Sequence, residues 1–105
     1  MDTLDLQNEI SNFVKKHNIE TSVEARLLDL VSEVGELSKE VLEGSKYGKD
    51  KFVKTPEWEN EFGDVLFSLI CIANKTDINI ESAINKALDK YKKRFAQKGE
   101  IGSGN

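Results

Sequence analysis

The stretch Thr55-Pro56-Glu57-Trp58-Glu59-Asn60-Glu61-Phe62-Gly63-Asp64-Val65-Leu66-Phe67-Ser68-Leu69-Ile70-Cys71-Ile72-Ala73 decides the fold. Its opening Thr-Pro joins a capping hydroxyl to a proline at the first helical position, where the missing N–H costs nothing. The run that follows is too long and too densely apolar to alternate like a half-exposed strand, so it reads as a helix reaching about Lys75 and buried on more than one side. Pro56 is the only proline in the chain, so nothing breaks this helix from within.

The rest of the chain reads the same way. A first helix is expected from about Thr3 to His17, with Leu4, Leu6, Ile10, Phe13 and Val14 as its apolar stripe. After the break His17-Asn18-Ile19-Glu20, Thr21 with Glu24 three residues on forms a capping-box signature, and the second helix runs to Gly44, which suits a left-handed cap. A lysine-rich loop, Ser45 to Lys54, leads to the third helix. A turn at Asp77 to Asn79 precedes a fourth helix over about Ile80 to Gln97, expected to bury Ile84, Ala87, Leu88 and Tyr91. Short connections favour antiparallel neighbours, so the fold class is all-α, an antiparallel four-helix bundle. One domain over residues 1–98 is expected, with residues 99–105, which hold three glycines and a serine, as a flexible tail.

Composition narrows the function. With 105 residues the core can be only modest, and oligomerisation as a homodimer or homotetramer is expected. Fifteen Lys and Arg against 19 Asp and Glu, a net charge of −4, argue against a general nucleic-acid binder. No apolar run approaches the roughly 18 residues of a membrane span and no targeting pattern opens the chain, so a cytoplasmic protein is the expectation. The single Cys71 reads as a small core thiol.

Two acidic pairs carry the chemistry. Glu33-Val34-Gly35-Glu36 lies on the second helix and Glu61-Phe62-Gly63-Asp64 on the third, and each spacing sets both carboxylates on one face. Glu-x-x-Glu is common on solvated faces. Here, however, Leu30, Val31, Val34 and Leu37 surround the first pair, and Phe62, Val65 and Leu66 the second, so the carboxylates are expected at the edge of an apolar surface, where charge needs a partner. Four such groups can hold Mg²⁺, with Mn²⁺ as a substitute, and bridge it to a phosphate chain. Gly35 and Gly63, each inside a helix at a cost of about 1 kcal/mol relative to alanine, point to close helix packing.

These residues resemble the MazG-like nucleotide pyrophosphohydrolases. The likeness rests on Ser32-Glu33-Val34-Gly35-Glu36-Leu37, then Trp58 to Phe67, then Lys90-Tyr91-Lys92-Lys93-Arg94-Phe95, in that order over about Leu27 to Phe95. It implies hydrolysis of a nucleoside triphosphate between its α and β phosphates, with Glu33, Glu36, Glu61 and Asp64 holding Mg²⁺. Ser32 departs from a further acidic residue in many members, and Tyr91 from an asparagine in dCTP-preferring ones. Of the metal carboxylates, Glu36 and Glu33 are the candidates for catalysis, Glu36 as the base that takes the proton from water.

Substrate-binding candidates are Lys46 and Lys49 in the loop with Lys51, Trp58 as a stacking surface or a hydrophobic anchor, and Lys90 and Arg94, with Lys86 and Lys93 on the same helix. The basic residues also complement the helix C-terminus. His17 is expected to cap or solvate, while Phe13 and Asn74 are candidates for a base pocket. The alternative to an enzyme is a helical module that binds nucleotide or a partner protein without turnover.

Overall fold

The computed structural model describes residues 1–98, as four helices: α1 Thr3–Lys16, α2 Val23–Gly44, α3 Trp58–Lys75 and α4 Ile80–Lys98. The tail expected over residues 99–105 lies outside the described residues. The all-α reading holds, and the helix limits agree with the sequence to within three residues.

Helix α1 starts where the Asp2 carboxylate accepts the Asp5 N–H at 2.8 Å and Asp5 returns the favour to the Asp2 N–H, a capping box built from two aspartates. His17 is its C-cap, as expected, its ring 4.6 Å from Phe13. Helix α2 is capped one residue later than its sequence signature suggests. Ser22, not Thr21, accepts the Ala25 N–H, at 3.1 Å, and Glu24 takes no part in a box. Thr55 likewise does not cap α3, because Pro56 and Glu57 form a separate turn first. The Thr55 hydroxyl instead donates across the hairpin to Glu40 Oε1 at 2.5 Å.

Helices α2 and α3 form an antiparallel hairpin. Its connection is compact: Ser45 is buried, donating to Val41 O at 2.7 Å and accepting the Gly48 N–H at 3.0 Å, while Lys46, Tyr47 and Gly48 are all left-handed. The loop returns against Gly44, whose carbonyl accepts the Val53 N–H at 2.9 Å. A β-carbon at Gly44 would sit 2.3 Å from Val53 O and 2.8 Å from the Phe52 ring, so only glycine fits this closure. Gly35 and Gly63 are different. A β-carbon at either meets nothing within 4 Å, so the close crossing expected at these glycines is absent within the chain.

The core is small and lies where α1 crosses the C-terminal half of α3, around Val14, Ile70 and Ala73. Gln7, 5% exposed, locks this corner: its amide donates to Asn74 Oδ1 at 3.0 Å and to Ile78 O at 2.8 Å, and its Oε1 accepts the Ile80 N–H at the start of α4. Asn74, expected near a base, is therefore a structural partner of Gln7, to whose carbonyl it also donates. Beyond that corner α4 leaves the body, so three of its expected core residues are exposed: Ile84 at 56%, Leu88 at 47% and Tyr91 at 37%, with Ala87 half-buried. Cys71 is also only half-buried, with burial raising its thiol pKa. Among the described residues no helix is long and apolar enough to cross a membrane.

Candidate metal centre

Helix α2 carries Asp29, Glu33, Glu36 and Glu40 at steps of four, three and four; Glu57 at the N-cap of α3, then Glu61, Asp64 and Ser68 on α3, follow the same steps. Such steps keep all four on one helical face. Because the helices run antiparallel, the two ridges face each other along their whole length. Ser68 Oγ donates to Asp29 Oδ2 at 3.0 Å at one end, and Thr55 to Glu40 near the other. With the register fixed at both ends, the pairs of the sequence motif fall level between them. The apparent mismatch of Glu33, eleven residues before Gly44, with Glu61, three after Trp58, is absorbed by the loop folding back to Gly44.

Three of the four candidate ligands converge. One carboxylate oxygen each of Glu33, Glu61 and Asp64 lies within 4.8 Å of the others, Glu33 and Glu61 half-buried and Asp64 exposed. Glu36 is half-buried but stands outside this group, its Oε1 3.5 Å from Lys39 Nζ in an exposed ion pair. Both Glu33 and Glu61 have pKa values raised from the ordinary carboxylate range. Desolvation is the larger cause for each; the repulsion adds to it, from Asp64, Asp29, Glu61 and Glu36 on Glu33, and from Asp64, Glu36, Glu40 and Glu57 on Glu61. Every neighbouring charge acting on the two is thus another carboxylate.

The trio fits a hard divalent cation. Oxygens bound to one octahedral Mg²⁺ at about 2.0–2.1 Å stand roughly 3–4 Å apart, so a small rotamer adjustment would close the present spread. Asp64 is exposed, so the group is open to solvent on that side. Asp29, Glu40 and Glu57 were missed as parts of this surface; extending each acidic pair by one helical turn would have found them.

Other candidate residues sit around this groove or away from it. Lys46 pairs with Asp50 at 3.4 Å, and Lys49 and Lys51 are exposed on the same loop. Trp58 is half-buried with its ring 4.9 Å from Phe52, the geometry of a hydrophobic anchor. Lys90 and Arg94 both stack over Tyr91, at 4.9 and 5.8 Å, on the outgoing α4. Lys86 and Lys93 are exposed on α4, Lys93 paired with Asp89. Phe13 meets Phe67 edge to face at 6.3 Å, across α1 and α3.

Residues 21–97 match the MazG nucleotide pyrophosphohydrolase domain, a span that contains both acidic ridges. The chain belongs to this family. It is 38% identical over 73 residues to the uncharacterised protein YpjD of Bacillus subtilis, and 40% identical over 52 residues to the nucleoside triphosphate pyrophosphohydrolase/pyrophosphatase MazG of Thermotoga maritima. These matches take in 67% and 49% of the chain, but 64% and 20% of those relatives. Among solved structures, the Bacillus-conserved MazG protein, a nucleotide pyrophosphohydrolase, superposes with a TM-score of 0.73 at 33% identity, covering 87% of this chain and 89% of that one. The putative pyrophosphatase YpjD of Bacillus subtilis gives 0.73 at 35% identity, covering 87% and 93%. The MazG fold thus extends over most of the chain.

Proposed function

We propose that the protein is a Mg²⁺-dependent nucleoside triphosphate pyrophosphohydrolase. It cleaves the α–β phosphate bond to give a nucleoside monophosphate and pyrophosphate, working as a homodimer or homotetramer on the cytoplasmic nucleotide pool. The observation that carries this reading is the convergence of Glu33, Glu61 and Asp64, in a chain of the MazG family. Mn²⁺ is an acceptable substitute, since carboxylate oxygens suit both ions.

The division of labour follows from position. Glu33, Glu61 and Asp64 hold the cation, which when bound neutralises the phosphate chain and acidifies a bound water. Glu36, beside the trio but outside it and paired at its surface with Lys39, takes the proton as water attacks phosphorus. Lys46 and Lys49, at the loop end of the groove, meet phosphate oxygens, and Trp58 borders the base or holds the loop. Lys90 and Arg94 lie on α4, which is tied to the body at its N-terminal end through Gln7 and through the Thr3 hydroxyl, a donor to Glu81 at 3.3 Å. As basic side chains they are the further candidates for contact with phosphate oxygens.

Calorimetric titration tests the reading directly. Mg²⁺ should bind the wild type, and Glu61→Gln should abolish the heat. Nucleotide binding that needs no Mg²⁺ and survives Glu61→Gln would favour a non-catalytic module instead.

A further inference from the structure

Past the Asp29–Ser68 end of the acidic groove lies a cavity of 300 Å³ with the opposite character. Its wall takes Ser11 and Lys15 from α1, Glu20 and Thr21 from the α1–α2 connection, Arg26 from α2 and Lys75 from α3. Three cations and one carboxylate thus line it, in a chain whose 15 basic residues are outnumbered by 19 acidic ones. Among the described residues Lys15 and Lys75 make no ion pair.

Arg26 is the fixed part of this wall. The helix dipole favours a lysine in the last turns of α1 and α3, but it disfavours a cation in the first turn of α2, where Arg26 lies. The arginine is nonetheless held there, its side chain only 15% exposed: Nη2 donates to Ile19 O at 3.2 Å, Nη1 to Asp29 Oδ2 at 3.5 Å, and the guanidinium stands 5.9 Å from the centre of the Phe67 ring. Two of its five N–H donors are engaged in these bonds and three remain for a ligand. The hydroxyls of Ser11 and Thr21 add short polar groups to the same wall.

We infer that this cavity is a binding site for a small phosphate-class oxyanion, inorganic pyrophosphate or phosphate, held by Arg26, Lys15 and Lys75. Arginine and lysine around a phosphoryl group make charge-assisted hydrogen bonds, the stronger kind. The volume fits, because it stands at the bottom of the roughly 300–1,000 Å³ range of small-molecule pockets and suits a small anion better than a whole nucleotide. The site is separate from the metal centre. Arg26 and Glu33 are seven residues apart, about 10 Å along α2, and the Asp29 carboxylate on the intervening turn repels any anion that reaches from one to the other.

The inference does not depend on catalysis, so its test is run in EDTA without nucleotide, where neither metal nor turnover contributes. The ¹⁵N-labelled full chain is titrated at fixed ionic strength with pyrophosphate and, separately, with phosphate. Saturable amide shifts should cluster at residues 11–15, 20–26 and 71–75, with pyrophosphate the tighter ligand because it carries more charge. Arg26→Gln should weaken binding about tenfold, as loss of a charged hydrogen bond does, and Lys15→Glu and Lys75→Glu about fivefold each, as exposed partners. Lys92→Glu makes the same charge change on α4 and should leave the affinity unaltered. Circular dichroism checks each variant, and the two exposed lysines decide the matter even if Arg26→Gln fails to fold. The site would be overturned by the absence of saturable shifts at millimolar pyrophosphate, by shifts confined to the lysine loop or to α4, or by shifts that chloride reproduces. Equal weakening by Lys92→Glu and Lys75→Glu would overturn it as well, reducing the binding to general attraction by net charge.

Discussion

Replacing Gly44 by alanine tests how the hairpin register is set. Alanine is the better helix former by about 1 kcal/mol, and Gly44 is the last residue of α2, so propensity alone predicts stabilisation. The structure predicts the opposite. The added carbon would stand 2.3 Å from the Val53 carbonyl and 2.8–2.9 Å from two Phe52 ring atoms. The ring could swing away, giving up its 4.9 Å contact with Trp58, but the backbone carbonyl moves only if the loop closure opens. Overpacking of this kind costs about 1–3 kcal/mol, and the lost Val53 N–H to Gly44 bond about 1 kcal/mol more. The net change after the propensity gain is a destabilisation of about 1–3 kcal/mol, or a fall in Tm of about 5–20 °C for a domain of this size. Gly63→Ala is the control, because its β-carbon meets nothing within 4 Å, and it should be neutral or stabilising by up to about 1 kcal/mol. Thermal and urea unfolding followed at 222 nm would measure both. If Gly44→Ala proved as stable as the parent, the loop would not close on Gly44 and the register argument for the acidic groove would lose its support at that end.

Three further substitutions address the corner and the groove. Gln7→Leu should cost about 2 kcal/mol or more in urea unfolding, since it strands the Ile78 carbonyl, the Ile80 N–H and the Asn74 Oδ1 together. Ser68→Ala should cost only about 1 kcal/mol by the same measurement, because Asp29, half exposed, can replace the lost hydroxyl with water. Glu33→Gln should raise Tm in EDTA and erase the rise that Mg²⁺ gives the wild type. Its folded-state pKa is raised, chiefly by desolvation and then by Asp64, so the metal-free folded protein holds this proton more tightly than the unfolded chain does. The sign follows: the contribution to stability is full below the unfolded value near 4.5 and is lost as pH rises through the raised value, which Tm measured against pH in EDTA should show in wild type and less in Glu33→Gln.

Sequence was informative wherever a local pattern decided the structure. The four helices follow from periodicity and punctuation, and both acidic pairs stand out because their spacing matches the helical turn. What it could not supply was the third dimension. Thr55-Pro56 carries the right residues for a cap, yet its hydroxyl is used across the hairpin by Glu40, a partner fifteen positions away. Gly35 and Gly63 look like crossing points, but helix crossings depend on where the neighbour lies, and within one chain nothing approaches them. The apolar stripe of α4 has the spacing of a core face, yet Ile84, Leu88 and Tyr91 are exposed, because the stripe records the helix's pattern and not where the rest of the chain lies. Glu36 matches the motif as well as Glu33 does, and the sequence alone does not show that the carboxylate oxygens of Glu33, Glu61 and Asp64 converge while Glu36 stands beside them.

The most direct test is product analysis. The protein is incubated with Mg²⁺ and a panel of canonical and modified nucleoside triphosphates, and monophosphate, diphosphate, pyrophosphate and phosphate are resolved by chromatography. Monophosphate with equimolar pyrophosphate, abolished by EDTA and by Glu61→Gln, is the predicted result. Diphosphate with phosphate would place the cut at the wrong bond, and turnover undiminished in Glu61→Gln would show that the acidic groove is not the active site.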